Sequence, residues 1–167
     1  MSQVRAIALD VDGVLTDGTF VWGPDGEEFK RFCYLDVMGI SLAQRQGFRF
    51  ALISGEDSPL VDRFAEKMGI SAVYKGCKDK AGAVREFMRA NDLDPCETCF
   101  MGDDVNDIPA MEAVGLAAAP HNAVGAVREM AHFITHKSGG NGAVRELVEH
   151  LMAAASLAIE AESLWAS

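Results

Sequence analysis

The sequence predicts an α/β fold in which helices cover both faces of a doubly wound, mostly parallel β-sheet. Short apolar runs alternate with segments of helical periodicity along the 167 residues. This alternation favours parallel strand pairing through right-handed helical crossovers. Apolar residues make up 49% of the chain, which is enough at this length for one domain with its own core.

The predicted strands are apolar runs at residues 5–9, 48–53, 71–74, 98–101, 115–119 and 132–135. Helical spacing is clearest at residues 58–68, 80–91, 106–114 and 143–155. We expect a single domain over residues 1–155 and a C-terminal tail over residues 156–167.

Residues 19–32 interrupt this alternation of strands and helices. A Gly23-Pro24-Asp25-Gly26 turn separates two runs that carry aromatic residues, which is typical of a β-hairpin. Because the hairpin follows the first strand, we expect it beside the carboxyl end of that strand. Its apolar side chains have no place in the main core, so an oligomer interface is expected to bury them.

The net charge of −10 argues against nucleic acid and anionic membranes as partners. It would also repel an anionic substrate unless a bound divalent cation inverts the local field. The chain shows no apolar stretch of membrane-spanning length and no signal-peptide pattern, so we expect a cytoplasmic protein. The Cys96-x-x-Cys99 pair lacks the further ligands of a zinc site, which favours small, buried free thiols.

Polar residues follow the predicted strands at their carboxyl ends, where ligands bind in open parallel sheets. These residues are Asp10, Asp12, Ser54, Lys80 at a helix start, Asp103, Asp104 and Asp107. Carboxylates gathered in one crevice repel one another unless a cation neutralises them. An oxygen-only ligand set without His or Cys favours Mg²⁺ over zinc or copper.

Each of these residues also has a structural interpretation when it is taken singly. Asp12 is compatible with a turn, Asp103 and Asp104 with a helix cap, and Lys80 with an exposed charge. Several such coincidences would be needed at once, so the pattern favours a functional cluster.

The motif Asp10-Val11-Asp12-Gly13-Val14-Leu15-Thr16 resembles the signature of the haloacid dehalogenase superfamily. Ser54, Lys80 and Gly102-Asp103-Asp104-x-x-Asp107 resemble its other three motifs in the correct order, so the resemblance covers essentially the whole chain. It implies a phosphatase in which Asp10 attacks phosphorus to form an aspartyl-phosphate and Asp12 acts as general acid and base.

The resemblance also implies roles for the remaining cluster. Mg²⁺ would be held by Asp10, the backbone carbonyl of Asp12 and Asp103. Ser54 and Lys80 would bind the phosphoryl oxygens. Asp104 and Asp107 would orient Lys80 and the waters on the metal.

Only the hairpin follows the first motif, so we expect a member without a cap domain. The hairpin end at residues 28–32 and the segment 139–146 resemble the capless sugar-acid phosphatases, which are tetramers assembled through their hairpins. A homotetramer is therefore implied. The candidate substrate-binding residues are Thr16, Gly55, Glu56, Arg63, Lys67 and Arg145, and Arg145 is expected to close over the sugar.

Three departures from the eight-carbon octulosonate enzymes leave the sugar open. Those enzymes usually have Asp-Gly-x-Gly-Ile where this chain has Asp36-Val37-Met38-Gly39-Ile40, and Thr-Gly-Arg where it has Ser54-Gly55-Glu56. A common arginine is replaced by Phe64, with Arg63 beside it. The combination of Glu56 and Lys67 resembles that found in the enzymes that act on 2-keto-3-deoxynonulosonate 9-phosphate. Both 3-deoxy-D-manno-octulosonate 8-phosphate and this nine-carbon acid stay candidates, with a slight preference for the second.

Parts of the pattern are also compatible with functions other than a sugar-acid phosphatase. A phospho-receiver domain is disfavoured, because receivers lack an Asp-x-Asp sequence on the first strand. A non-catalytic oligomerisation module of sialic acid or octulosonate metabolism is disfavoured by the intact catalytic set. A phosphatase of another small phosphate ester stays possible.

Overall fold

The computed structural model describes residues 4–165, with side chains described to residue 156. The strands are β1 Ala6–Leu9, β2 Val21–Trp22, β3 Glu28–Phe29, β4 Arg49–Ile53, β5 Ala72–Tyr74, β6 Thr98–Met101, β7 Leu116–Ala119 and β8 Phe133–Ile134. The helices are α1 Tyr34–Arg45, α2 Pro59–Met68, α3 Lys80–Ala90, α4 Ile108–Glu112, α5 Gly125–Met130 and α6 Ala143–Trp165. The predicted tail from residue 156 continues α6 as far as Trp165, and residues 166–167 lie outside the described part.

One six-stranded sheet has the order β5-β4-β1-β6-β7-β8, and every neighbouring pair is parallel. Alternate residues of each strand face opposite sides, so the sheet separates two apolar layers. Ile7 and Leu9 pack with α1, α2 and α6, whereas Ala6 and Ala8 pack with α3 and α4. The predicted doubly wound α/β fold is confirmed.

The sequence patterns missed α1 and α5. Helix α1 exposes the apolar residues Tyr34, Leu35 and Met38, which blur the periodicity of a helix with one buried face. Helix α5 has only 6 residues. The predicted helix 106–114 is a 3₁₀ turn, Val105–Asp107, followed by the short α4, because Pro109 can occupy only the first turn of a helix.

The hairpin predicted at residues 19–32 is present without a cap domain. Strands β2 and β3 are antiparallel, with Val21 opposite Phe29 and Trp22 opposite Glu28. The Trp22 indole N–H donates to Glu28 Oε2 at 3.2 Å. Trp22 is 67% exposed and Phe20 and Phe29 are more than half exposed, so this apolar face has no partner within the described chain.

The cysteines match the prediction only in part. The four cysteines are free, but only Cys99 is fully buried, whereas Cys96 lies exposed in a 3₁₀ turn that precedes β6. The expectation of small buried residues therefore holds for Cys99 and is wrong for Cys96.

Among the helices of the described residues, none is both long and apolar enough to cross a membrane.

Helix α6 is anchored to α1 by the buried carboxylate of Asp36. The backbone N–H of Arg145, 109 positions later, donates to Asp36 Oδ1 at 2.9 Å. Asp36 Oδ2 has no hydrogen-bond partner among the described residues. Burial raises the pKa of Asp36 to about 6, although backbone N–H groups at the start of α6 oppose that rise.

We expect Asp36 to lower the stability of the fold as pH rises. Its raised pKa means that the folded protein holds this proton more tightly than the unfolded chain. The free energy of unfolding should therefore fall by up to about 3 kcal/mol between pH 4 and 6 because of this group. In urea unfolding, Asp36→Asn should therefore gain stability relative to the wild type as pH rises from 4 to 6. The exposed Glu129→Gln serves as control, and equal slopes for Asp36→Asn and wild type would contradict the expectation.

Candidate active site

The strand order reverses on either side of β1, and Asp10 follows this central strand directly. The Asp10 N–H donates to the carbonyl of Met101 at the end of β6, which holds the two strand ends together. This crevice is the position at which doubly wound sheets bind ligands. Asp10 is 5% exposed, so its carboxylate lies within the protein rather than on its surface.

Lys80 bridges two buried carboxylates at this position. Its Nζ lies 2.7 Å from Asp10 Oδ1 and 2.6 Å from Asp107 Oδ1. Lys80 opens α3, where Asp79 caps the helix by accepting from the Gly82 N–H. Such a cation offsets much of the cost of burying two negative charges, and its removal would leave them unpaired.

Asp103 completes the cluster through the loop after β6. Asp107 Oδ2 accepts the N–H groups of Asp103 and Asp104 at 2.9 and 3.3 Å, which shapes that loop. The Asp103 carboxylate packs against Gly13, whose φ is +96°, and a Cβ at Gly13 would overlap Asp103 Oδ2. A glycine is therefore required at position 13 for Asp103 to reach Asp10.

The donor set fits a hard divalent cation. Carboxylate oxygens of Asp10, Asp103 and Asp107 lie within 4.8 Å of one another. Both oxygens of Asp107 already accept hydrogen bonds, so Asp10 and Asp103 are the side chains free to ligate. Oxygen ligands of this kind suit Mg²⁺.

The electrostatics of the cluster favour a cation as well. Burial, reinforced by the charge of Asp107, raises the pKa of Asp10 well above its ordinary value, against the opposing effect of Lys80. Burial and Asp107 also raise the pKa of Asp103 to about 6. Additional positive charge between these two carboxylates would stabilise their ionised forms.

Asp12 is held by Lys30, a residue that the sequence patterns did not single out. Lys30 follows β3, and its Nζ lies 2.6 Å from Asp12 Oδ1 and 3.3 Å from Glu28. Burial disfavours the charged form of Lys30, but these carboxylates outweigh burial and raise its pKa. The available signal in the sequence is a lysine directly after the second strand of the hairpin that follows the first motif. Its pairing with Asp12 depends on how the hairpin folds back, which the sequence patterns do not predict.

Ser54 is fully buried at the end of β4. Its N–H donates to the Tyr74 carbonyl at 2.8 Å, and its hydroxyl oxygen accepts the N–H of Glu56 at 3.2 Å. Gly55 leaves the loop open, since a Cβ there would meet nothing nearer than Asn106 at 3.9 Å. The Glu56 side chain is exposed.

Three predicted site residues have other partners in the structure. The buried Thr16 hydroxyl oxygen accepts the N–H groups of Gly13 and Gly18, so it closes the loop that carries Asp12. Arg145 Nε lies 2.5 Å from Glu149 along α6 rather than over the crevice. Asp104 is exposed and accepts the Val105 N–H at 2.7 Å, which leaves Asp107 to orient Lys80.

A groove of about 630 Å³ runs from the hairpin to α2. Lys30, Arg63 and Lys67 line it together with Glu66 and the aromatic residues Phe32, Tyr34 and Phe64. The groove thus gathers positive charge in a protein of net charge −10. Two predicted substrate residues, Arg63 and Lys67, thus share this groove with Lys30, which binds Asp12.

A family model described as haloacid dehalogenase-like hydrolase matches residues 53–147. The chain belongs to this hydrolase family. It is 37% identical over 152 residues to the 3-deoxy-D-manno-octulosonate 8-phosphate phosphatase KdsC of Salmonella typhi, a match that covers 91% of this chain and 81% of that protein.

Solved structures of haloacid dehalogenase-like phosphatases superpose closely on this chain. The Moraxella catarrhalis 3-deoxy-D-manno-octulosonate 8-phosphate phosphatase, in complex with magnesium, phosphate and KDO, has a TM-score of 0.88 at 34% identity, over 90% of this chain and 87% of that one. The cobalt-bound Haemophilus influenzae enzyme has a TM-score of 0.88 at 32% identity, over 91% and 89%. The predicted superfamily and the predicted class, a phosphoric monoester hydrolase, are confirmed.

We expect magnesium affinity to fall as pH falls through about 6. The metal-free protein protonates Asp103 near that pH, so a proton and the cation compete for the same oxygens. Calorimetric titration should give a dissociation constant that rises about tenfold per pH unit below that value. Asp103→Asn should weaken binding at pH 7.5, whereas the exposed Asp25→Asn should not. Equal affinities at pH 5 and 7.5 in the wild type would contradict this expectation.

Proposed function

We propose that this hydrolase removes the phosphate of 3-deoxy-D-manno-octulosonate 8-phosphate in a magnesium-dependent reaction. The observation that carries the proposal is Lys80 bridging the buried Asp10 and Asp107, with Asp103 beside them. Lys80 favours the ionised form of Asp10 against the effect of burial, and a cation bound between Asp10 and Asp103 would complete that ionisation and attract an anionic substrate.

The proposed reaction has two steps. A carboxylate oxygen of Asp10 attacks phosphorus while the bond to the sugar oxygen breaks, and Asp12 donates a proton to that leaving oxygen. Asp12 then accepts a proton from water as the water oxygen attacks the aspartyl-phosphate. Inorganic phosphate leaves, and the carboxylate of Asp10 is regenerated.

The surrounding residues supply charge and orientation for both steps. Lys80 and the Ser54 hydroxyl would donate to the phosphoryl oxygens that gain charge. Asp10, the Asp12 carbonyl and Asp103 would hold Mg²⁺, which screens the charges of nucleophile and phosphate when bound. Asp107 keeps Lys80 in place while its other oxygen shapes the loop of Asp103.

The groove supports a sugar acid as substrate. A substrate with a carboxylate besides its phosphate matches the positive side chains of Arg63 and Lys67, which line the groove together with Lys30. The presence of Glu56 together with Lys67 is the feature of the sequence that slightly favours a nine-carbon acid. The relatives are named for the eight-carbon phosphate, and their identity over nine-tenths of the chain supports that substrate instead.

Asp10→Asn should abolish hydrolysis without unfolding the protein. Loss of the nucleophile should reduce kcat at least about 10³-fold. The assay compares 3-deoxy-D-manno-octulosonate 8-phosphate, 2-keto-3-deoxynonulosonate 9-phosphate and p-nitrophenyl phosphate, each with magnesium and with chelator. Turnover of p-nitrophenyl phosphate alone would contradict the sugar-acid assignment. A folded wild-type protein that hydrolyses none of the three would favour the non-catalytic module.

We also propose that the chain forms a homotetramer through its hairpins. Phe20, Val21, Trp22 and Phe29 present an apolar face that a second copy would remove from water.

Trp22→Glu should therefore dissociate the assembly, because it places a charge within that apolar face. Light scattering after size exclusion should then report a smaller mass than for the wild type. Val124→Glu, which changes an exposed valine outside the hairpin, should leave the mass unchanged. A monomeric wild type would contradict the proposal.

A further inference from the structure

We infer that Lys30 is a positioning residue that fixes Asp12 for proton transfer, an inference that rests on the proposed function. Lys30 Nζ lies 2.6 Å from Asp12 Oδ1, across 18 positions of the chain. Within the described residues, Lys30 is the only side chain that forms a hydrogen bond to the Asp12 carboxylate. The contact brings the hairpin directly to the proposed acid and base.

The surroundings of Lys30 hold its ammonium group in one place. The side chain is 3% exposed, and its Nζ lies 3.3 Å from Glu28 and 5.8 Å from the ring centroid of Phe20. Glu28 in turn accepts the indole N–H of Trp22. A chain of contacts therefore runs from Trp22 through Glu28 and Lys30 to Asp12.

The hydrogen bond from Lys30 also determines which oxygen of Asp12 carries the transferable proton. An ammonium group only donates hydrogen bonds, so the oxygen bound by Lys30 must act as an acceptor. The transferable proton is therefore confined to Asp12 Oδ2. A carboxyl group that gives a proton to the sugar oxygen and then takes one from water needs this single orientation in both steps.

Lys30 also lines the groove, so its effect on proton transfer must be separated from an effect on substrate binding. The two effects differ in their dependence on the leaving group. A sugar alkoxide needs protonation as it leaves, whereas p-nitrophenolate does not. Attack of water on the aspartyl-phosphate needs the base with either substrate.

Rapid-quench kinetics of Lys30→Met should show this difference. With p-nitrophenyl phosphate we expect a burst of nitrophenolate followed by turnover slowed about 10²-fold, because only the second step needs Asp12. With the alkyl phosphate that the wild type turns over fastest, kcat should fall at least about 10²-fold without a burst, and KM should change less than about threefold. Lys30→Arg, which keeps a donor, should recover most of the rate.

Lys75→Met is the matched control, because Lys75 also pairs with two carboxylates, Asp57 and Asp62, outside the cluster. It should keep wild-type kinetics. An Lys30→Met protein with a raised KM alone, or with equal losses on both substrates and no burst, would overturn the inference and leave the proposed function intact. A wild type inactive on every ester would overturn both.

Discussion

The geometry of the site depends on the ion pair that Lys80 makes with Asp10 and Asp107. Three carboxylates gathered at the end of a buried strand would repel one another, and Lys80 compensates part of that charge. The same lysine joins the start of α3 to Asp10 after β1 and to Asp107 in the 3₁₀ turn before α4. The raised pKa values of Asp10 and Asp103 indicate that one lysine leaves the cluster short of positive charge, as suits a cation-binding site.

The two carboxylates proposed for chemistry are held by different parts of the molecule. Lys80 belongs to a helix that packs on the sheet, so Asp10 has the rigidity of the core. Lys30 belongs to a hairpin with two-residue strands and an exposed apolar face, so Asp12 depends on an element that is weakly supported within one chain. Packing of hairpins between copies would therefore strengthen the position of the proposed proton donor.

Local patterns predicted the sheet, most helices and the hairpin, because burial against a sheet imposes strong periodicity on strands and on helices with one apolar face. They missed α1, whose exposed Tyr34 and Leu35 add apolar positions on the outer face. The anchoring of α6 by Asp36 was equally invisible, since the two groups lie 109 positions apart.

From the sequence alone came the α/β class, the crevice and the residues gathered there, because parallel strands bring their carboxyl ends together whatever the details of packing. Only the tertiary structure decided which charges pair. It joined Lys30 to Asp12, gave Asp107 rather than Asp104 the contact with Lys80, and placed Arg145 beside Glu149. The pairings of Lys30 and Lys80 depend on side-chain distances of a few ångströms between elements far apart in the chain, and hydrophobic periodicity carries no information about them.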